Sequence, residues 1–110
     1  MGQLQNTDPK AAKDFLLSFD KAKVNKITLD ANTSKQVLAV NSNRAYALIV
    51  VTASEPVTLL LGEGDAAINK GILLTGRGSS FEIGHFNLFT GRVAAIAANL
   101  AEISITECSF

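Results

Sequence analysis

The sequence predicts an all-β fold, an antiparallel sandwich or a small jelly roll, preceded by a short helical or extended N-terminal arm. Three observations predict it. About eight short apolar runs follow one another with Asn, Gly, Ser and Pro between them, which is the spacing of a two-layer β domain. Several runs alternate strictly, such as Ala101, Ile103 and Ile105 against Glu102, Ser104 and Thr106, the period of a half-buried strand. One run, Asn43 to Thr52, is apolar on both alternating faces: Tyr46, Leu48 and Val50 fall on one side, Ala47, Ile49 and Val51 on the other. A strand facing water on one side carries polar residues there, so this stretch reads as a central strand covered on both faces.

The chain has 110 residues, 47% of them apolar. That length suits one domain with its own core. The boundary is expected near residue 22, with an arm over 1–22 and a β domain over 23–110. In the arm, Asp8-Pro9 is a helix start, because Asp8 can cap free amides and Pro9 sits where its missing N–H costs nothing. Ala12, Phe15, Leu16 and Phe19 follow at helical spacing as a narrow apolar stripe. Phe15, Leu16 and Phe19 are the candidate docking residues, either on the chain's own domain or on a neighbour. Lys21, Lys23 and Lys26 read as a solvated face.

Strands are then expected in order. Val24 to Leu29 ends at the turn cluster Asp30-Ala31-Asn32, and Lys35 to Val40 ends at Asn41-Ser42-Asn43. The central strand covers about 45–53. Ser54-Glu55-Pro56 turns the chain, and Val57 to Leu61 is expected back as a hairpin partner. Leu59, Leu60 and Leu61 in succession imply burial on both sides. Asp65 to Lys70 is expected to form one helical turn stopped by Gly71. Ile72 to Thr75 is a short strand, and Gly76-Arg77-Gly78 a hairpin turn whose glycines permit positive φ. Phe81 and Ile83 alternate with Ser80 and Glu82, and Phe86 to Gly91 is a connector. Val93 to Ala98 is alanine-rich, which leaves room for another layer to approach. Tyr46, Leu48, Ile49 and Val50 are the candidate core or oligomer strand.

Composition narrows the function classes. Lys plus Arg and Asp plus Glu each number 10, so nothing favours a nucleic acid or an anionic membrane as partner. The first 50 residues hold seven Lys/Arg and four Asp/Glu, the last 60 three and six. The halves sum to +3 and −3, compatible with head-to-tail contact between subunits or with scatter. Cys108 is the only cysteine, which forbids an intrachain disulfide and fits a reducing cytosol. The N-terminus lacks a secretory pattern, and no apolar run reaches the roughly 20 residues of a bilayer span. Met1-Gly2 begins like a myristoylation signal, but Asn6 stands where Ser or Thr is needed. Asn32-Thr33-Ser34 is a formal glycosylation acceptor.

No catalytic constellation emerges. Gly62-x-Gly64-x-x-Ala67 after a strand has the form of a dinucleotide fingerprint, yet Gly71 arrives too soon for a crossover helix. Gly76-Arg77-Gly78-Ser79-Ser80 has the glycines of a phosphate nest, and a plain turn accounts for them better. His85 is the single histidine and reads as a loop or core residue; with Cys108 it falls short of a zinc ligand set. The carboxylates are dispersed. No catalytic residue, metal site or cofactor is therefore expected.

Asn43-Arg44-Ala45-Tyr46-Ala47-Leu48-Ile49-Val50 resembles the NRxYALIV strand of small tailed-bacteriophage virion proteins. Three further features resemble the same group. They are Val57 to Gly62, then Asn69-Lys70-Gly71-Ile72-Leu73-Leu74 leading to Gly78-Ser79-Ser80-Phe81-Glu82-Ile83, then Asn87-Leu88-Phe89-Thr90-Gly91, where family members often carry Tyr in place of Phe89. The four occur in the same order over roughly residues 35–107. The resemblance implies a β-sandwich component of the phage particle, of the capsid cement or decoration type. It would be a non-enzymatic clamp on major capsid protein subunits, located on the virion surface, assembled in the host cytoplasm and homo-oligomeric, with a trimer matching local threefold axes of a shell. A minor tail or head–tail connector protein is the alternative, and a small-ligand or carbohydrate-binding sandwich a more distant one. With no Trp and one Tyr, the aromatic platforms of sugar sites are scarce.

Overall fold

A computed structural model describes residues 21–110. The expected arm helix from Asp8-Pro9 and the candidate docking residues Phe15, Leu16 and Phe19 lie outside the described residues. Eight strands follow: β1 (Lys21–Leu29), β2 (Lys35–Leu38), β3 (Arg44–Val51), β4 (Val57–Leu61), β5 (Ile72–Leu74), β6 (Ser80–Ile83), β7 (Val93–Ile96) and β8 (Ala101–Ser109). Each sits where an apolar run predicted one. The first begins at Lys21 rather than Val24, with Lys21 and Lys23 on one face of the strand and Lys26 on the other.

The strands form two four-stranded antiparallel sheets, in the orders β1-β8-β3-β6 and β2-β7-β4-β5. The pairings are nested: β1 with β8, β2 with β7, β3 with β6 and β4 with β5. This is one long antiparallel ribbon folded over on itself, the double Greek key of a jelly roll. Consecutive strands therefore lie in opposite sheets up to β4, and again after β5. The expected hairpin between the central strand and Val57 to Leu61 does not form. Both edges of β3 are already occupied, by β8 and β6, so β4 crosses to the other sheet and pairs there with β5 and β7. Gly76-Arg77-Gly78 is likewise a tight turn between sheets and not a hairpin. Ser79 N donates to Gly76 O at 2.9 Å within it, and Gly78 takes a φ of 88°.

The core lies between the sheets. Leu29, Ile49, Val51, Ile83, Ile103 and Ile105 from one meet Val57, Leu59, Leu74, Val93 and Ala95 from the other. On this inner side the period-two pattern predicts burial correctly. The second sheet also has a covered outer face. Ala66, from the loop between β4 and β5, packs on Ala94 and Ile96, with Leu60 against them. That is why three leucines in a row are tolerated in β4, and why β7 is built of small residues. The loop is fastened across the sheet by Ala66 N donating to Ser34 Oγ at 2.8 Å and Asn69 N donating to Thr58 Oγ1 at 3.1 Å.

Asp65 to Lys70 forms no helical turn. It closes in a two-residue turn, with Ala67 and Lys70 bridged and Lys70 N donating to Ala67 O at 3.1 Å. Asn69 supplies the left-handed conformation at φ 62°, and Asn tolerates it because its short side chain satisfies the backbone locally. Gly71 follows at φ 137°, with its backbone against the Leu59 carbonyl, where a Cβ would collide. Burying Ala66 over the sheet wins over the weak helical preference of a six-residue segment.

Candidate interaction surfaces and the Arg44 hub

The four residues singled out on the central strand divide between its two faces. Ile49 is sealed in the core. Tyr46, Leu48 and Val50 point outward and are half-buried. Two faces are thus apolar, as the pattern requires, but only the inner one is closed by the described residues. The outward side chains form rows across the sheet: Val24, Thr106, Leu48 and Glu82 in one, Lys26, Ser104, Val50 and Ser80 in the next. Val24 is 67% exposed. The apolar strip is narrow and bordered by hydroxyls and charges, the make-up of a surface that can be wetted or covered.

Tyr46 fixes one end of that strip. Its hydroxyl donates to Glu82 Oε2 at 2.7 Å. This bond, then burial, then the nearby Glu82 and Cys108 charges raise its pKa above the ordinary 10.0. Next to it in the pairing is Cys108, whose thiol is pushed above 9.0 first by burial and then by Glu107. A buried thiol held protonated is a poor nucleophile.

The strongest polar construction is one the sequence did not announce. Arg44 is fully buried. Its Nε donates to Glu107 Oε2 at 2.8 Å, Nη1 to the carbonyls of Phe89 and Gly91 at 2.8 and 3.0 Å, and Nη2 to the Ala39 carbonyl at 2.7 Å. Asn41 Nδ2 adds bonds to Glu107 Oε2 at 3.1 Å and Ser109 Oγ at 2.9 Å. The guanidinium thereby ties β3, β8 and the loops after β2 and before β7 into one end of the sandwich. Strict alternation would place Arg44 beside Tyr46 on the outer face. A bulge between Arg44 and Tyr46, where two residues oppose one step of β8, turns it inward instead.

The remaining candidates are ordinary structure. Gly62 and Gly64 take φ values of 117° and 103° in the β4–β5 loop. That loop is held by Arg92, whose carbonyl accepts from Gly62 N at 2.7 Å. No helix follows to receive a pyrophosphate. His85 lies exposed in a 3-10 turn over His85–Asn87. Among the described residues no group of three or more His, Cys, Asp or Glu gathers where a metal ion could be held, and no helix is long and apolar enough to cross a membrane.

The chain matches no family model, no curated protein and no solved structure.

Proposed function

We propose that this chain is a structural component of a tailed-phage particle, a cement protein that binds the assembled shell and clamps major capsid protein subunits. The observation that carries the reading is the strand Arg44–Val51. Its sequence bears the resemblance, and its outward side chains leave Tyr46, Leu48 and Val50 as apolar surface on a rigid sheet. The jelly roll suits the role, since capsid domains are among its uses, though lectins and cupins share it. The mechanism is mass action: a protein that binds only the assembled shell stabilises the shell by the free energy of that binding. Self-association of the clamp, with a trimer as the working stoichiometry, would add avidity to weak single contacts.

Quantitative mass spectrometry of density-purified particles from the parent phage tests it. A copy number comparable with the major capsid protein is the expected result. A handful of copies per particle would favour the tail or connector alternative. Absence from the particle overturns both.

A further inference from the structure

Phe86 is 98% exposed, the extreme case among the large apolar side chains, and it is not on a loose loop. The 3-10 turn beneath it is locked by Asn87: Gly84 N donates to Asn87 Oδ1 at 2.7 Å, Asn87 Nδ2 donates to Glu82 O at 2.8 Å, and Asn87 N donates to Gly84 O at 3.3 Å. His85 packs edge-on against the Phe86 ring, with centroids 4.9 Å apart. With its backbone fixed in this way, the ring has only its two side-chain torsions to order on docking, a small cost for an interface anchor.

The same chain carries a matching recess. Pro56, Ile68, Leu73 and Ala98 line an apolar hollow of about 210 Å³, with Glu55 and Asn69 among its polar lining. Ile68 and Leu73 remain 38% and 46% exposed within it. An apolar cavity of about 150 Å³ is enough to take up benzene, so the space accommodates a phenyl ring. The two features lie at opposite ends of the sandwich. Phe86 follows the end of β6 that pairs with Ala47, whereas the hollow lies by the turn after Val51. An extended strand the length of β3 spans roughly 25 Å, so Phe86 cannot reach the hollow of its own chain.

The geometry points to a homotypic, head-to-tail contact in which Phe86 of one copy enters the Pro56–Ile68–Leu73–Ala98 hollow of a second copy. Polar complementarity supports a second copy as the occupant: the His85 imidazole beside the ring can donate to the carboxylate of Glu55 beside the hollow. Because knob and hollow are different surfaces, the contact is heterologous, and it gives a ring when the rotation closes. This deepens the oligomer part of the proposed function.

Sedimentation velocity on the full chain at micromolar concentrations tests it. The wild type should form oligomers. Phe86→Ser and Leu73→Glu, both at exposed positions, should each sediment as monomers with unchanged circular dichroism. An equimolar mixture of the two variants should recover a dimer and nothing larger, because it retains one intact knob facing one intact hollow. A monomeric wild type, an oligomer indifferent to Phe86→Ser, or a mixture that stays monomeric overturns the contact. Binding of particles by a monomeric wild type would overturn this contact alone, and an oligomer of the expected behaviour that is absent from particles would overturn the particle reading alone.

Discussion

Arg44 is the residue on which one end of the molecule depends. Replacing it with Met removes the charge but leaves the carbonyls of Ala39, Phe89 and Gly91 and the Glu107 carboxylate without their donor. Breaking a buried pair from one side costs about 3–5 kcal/mol. Glu107 keeps some exposure, so the lower end applies, a fall in Tm of about 13 °C for a domain of this size. Calorimetry of Arg44→Met checks it, and the double variant Arg44→Met/Glu107→Gln should be less destabilised than the two single losses added. Gly71→Ala should cost about 2 kcal/mol through both its positive φ and the Leu59 carbonyl, read as a lower urea midpoint. Cys108 gives a pH dependence. Its folded pKa lies above 9.0, so the unfolded chain loses the proton first. Its contribution to stability is complete below pH 9 and declines as pH rises above it. The stability difference between wild type and Cys108→Ala should therefore shift against the wild type as pH rises above 9. These roles differ in how far the sequence displayed them. Gly71 was legible as a stop to the preceding segment. Arg44 was not legible as a hub, because a bulge reversed its face and three of its four partners lie 45 to 63 positions away.

At the scale of elements, β1 is an edge of its sheet among the described strands, paired there only with β8. Lys21, Lys23 and Lys26 stand along it, and such charges keep a free edge from pairing with another sheet. Lys26 also approaches Glu102 at 3.4 Å, a surface pair of little net value. Replacing Lys21 and Lys23 with Thr should leave folding intact and raise light scattering on concentration. The strands themselves were readable from alternation and turn residues, down to the coincidence of Val57 to Leu61 with β4. Their partners were not. Ser54-Glu55-Pro56 looks the same whether it closes a hairpin or bridges two sheets, since the choice is made by β8 and β6 occupying β3. The six-residue segment after Gly64 was misread for a related reason, its conformation being set by the sheet beneath Ala66.

For the whole molecule, the outward rows around Leu48 and Val50 and the Phe86 anchor are separate surfaces, so they make separate predictions. Leu48→Asp with Val50→Lys should abolish particle association while sparing the fold, because both side chains point away from the core. Co-sedimentation with particles measures it, and undiminished binding would exclude this face as the contact. The inner core had little such ambiguity in the sequence, since its large apolar residues keep a two-residue period except at Val37 and Leu38, where β2 is irregular. Surfaces are harder to read: an apolar outward residue looks the same in one dimension whether water, a loop or another subunit lies over it.

The nested pairing also dictates an order of events. β8 is the last of the described strands in sequence, yet it lies between β1 and β3 in the sheet. During synthesis β1 emerges some 70 residues before β8 begins, and among the described strands it has no pairing partner until β8 leaves the ribosome. β3 lacks one neighbour over the same interval. The first sheet must therefore close late and all at once, around contacts of nearly the greatest sequence separation the domain allows, the arrangement associated with slow folding. Deleting residues 101–110 would therefore remove the middle of a sheet rather than a dispensable tail.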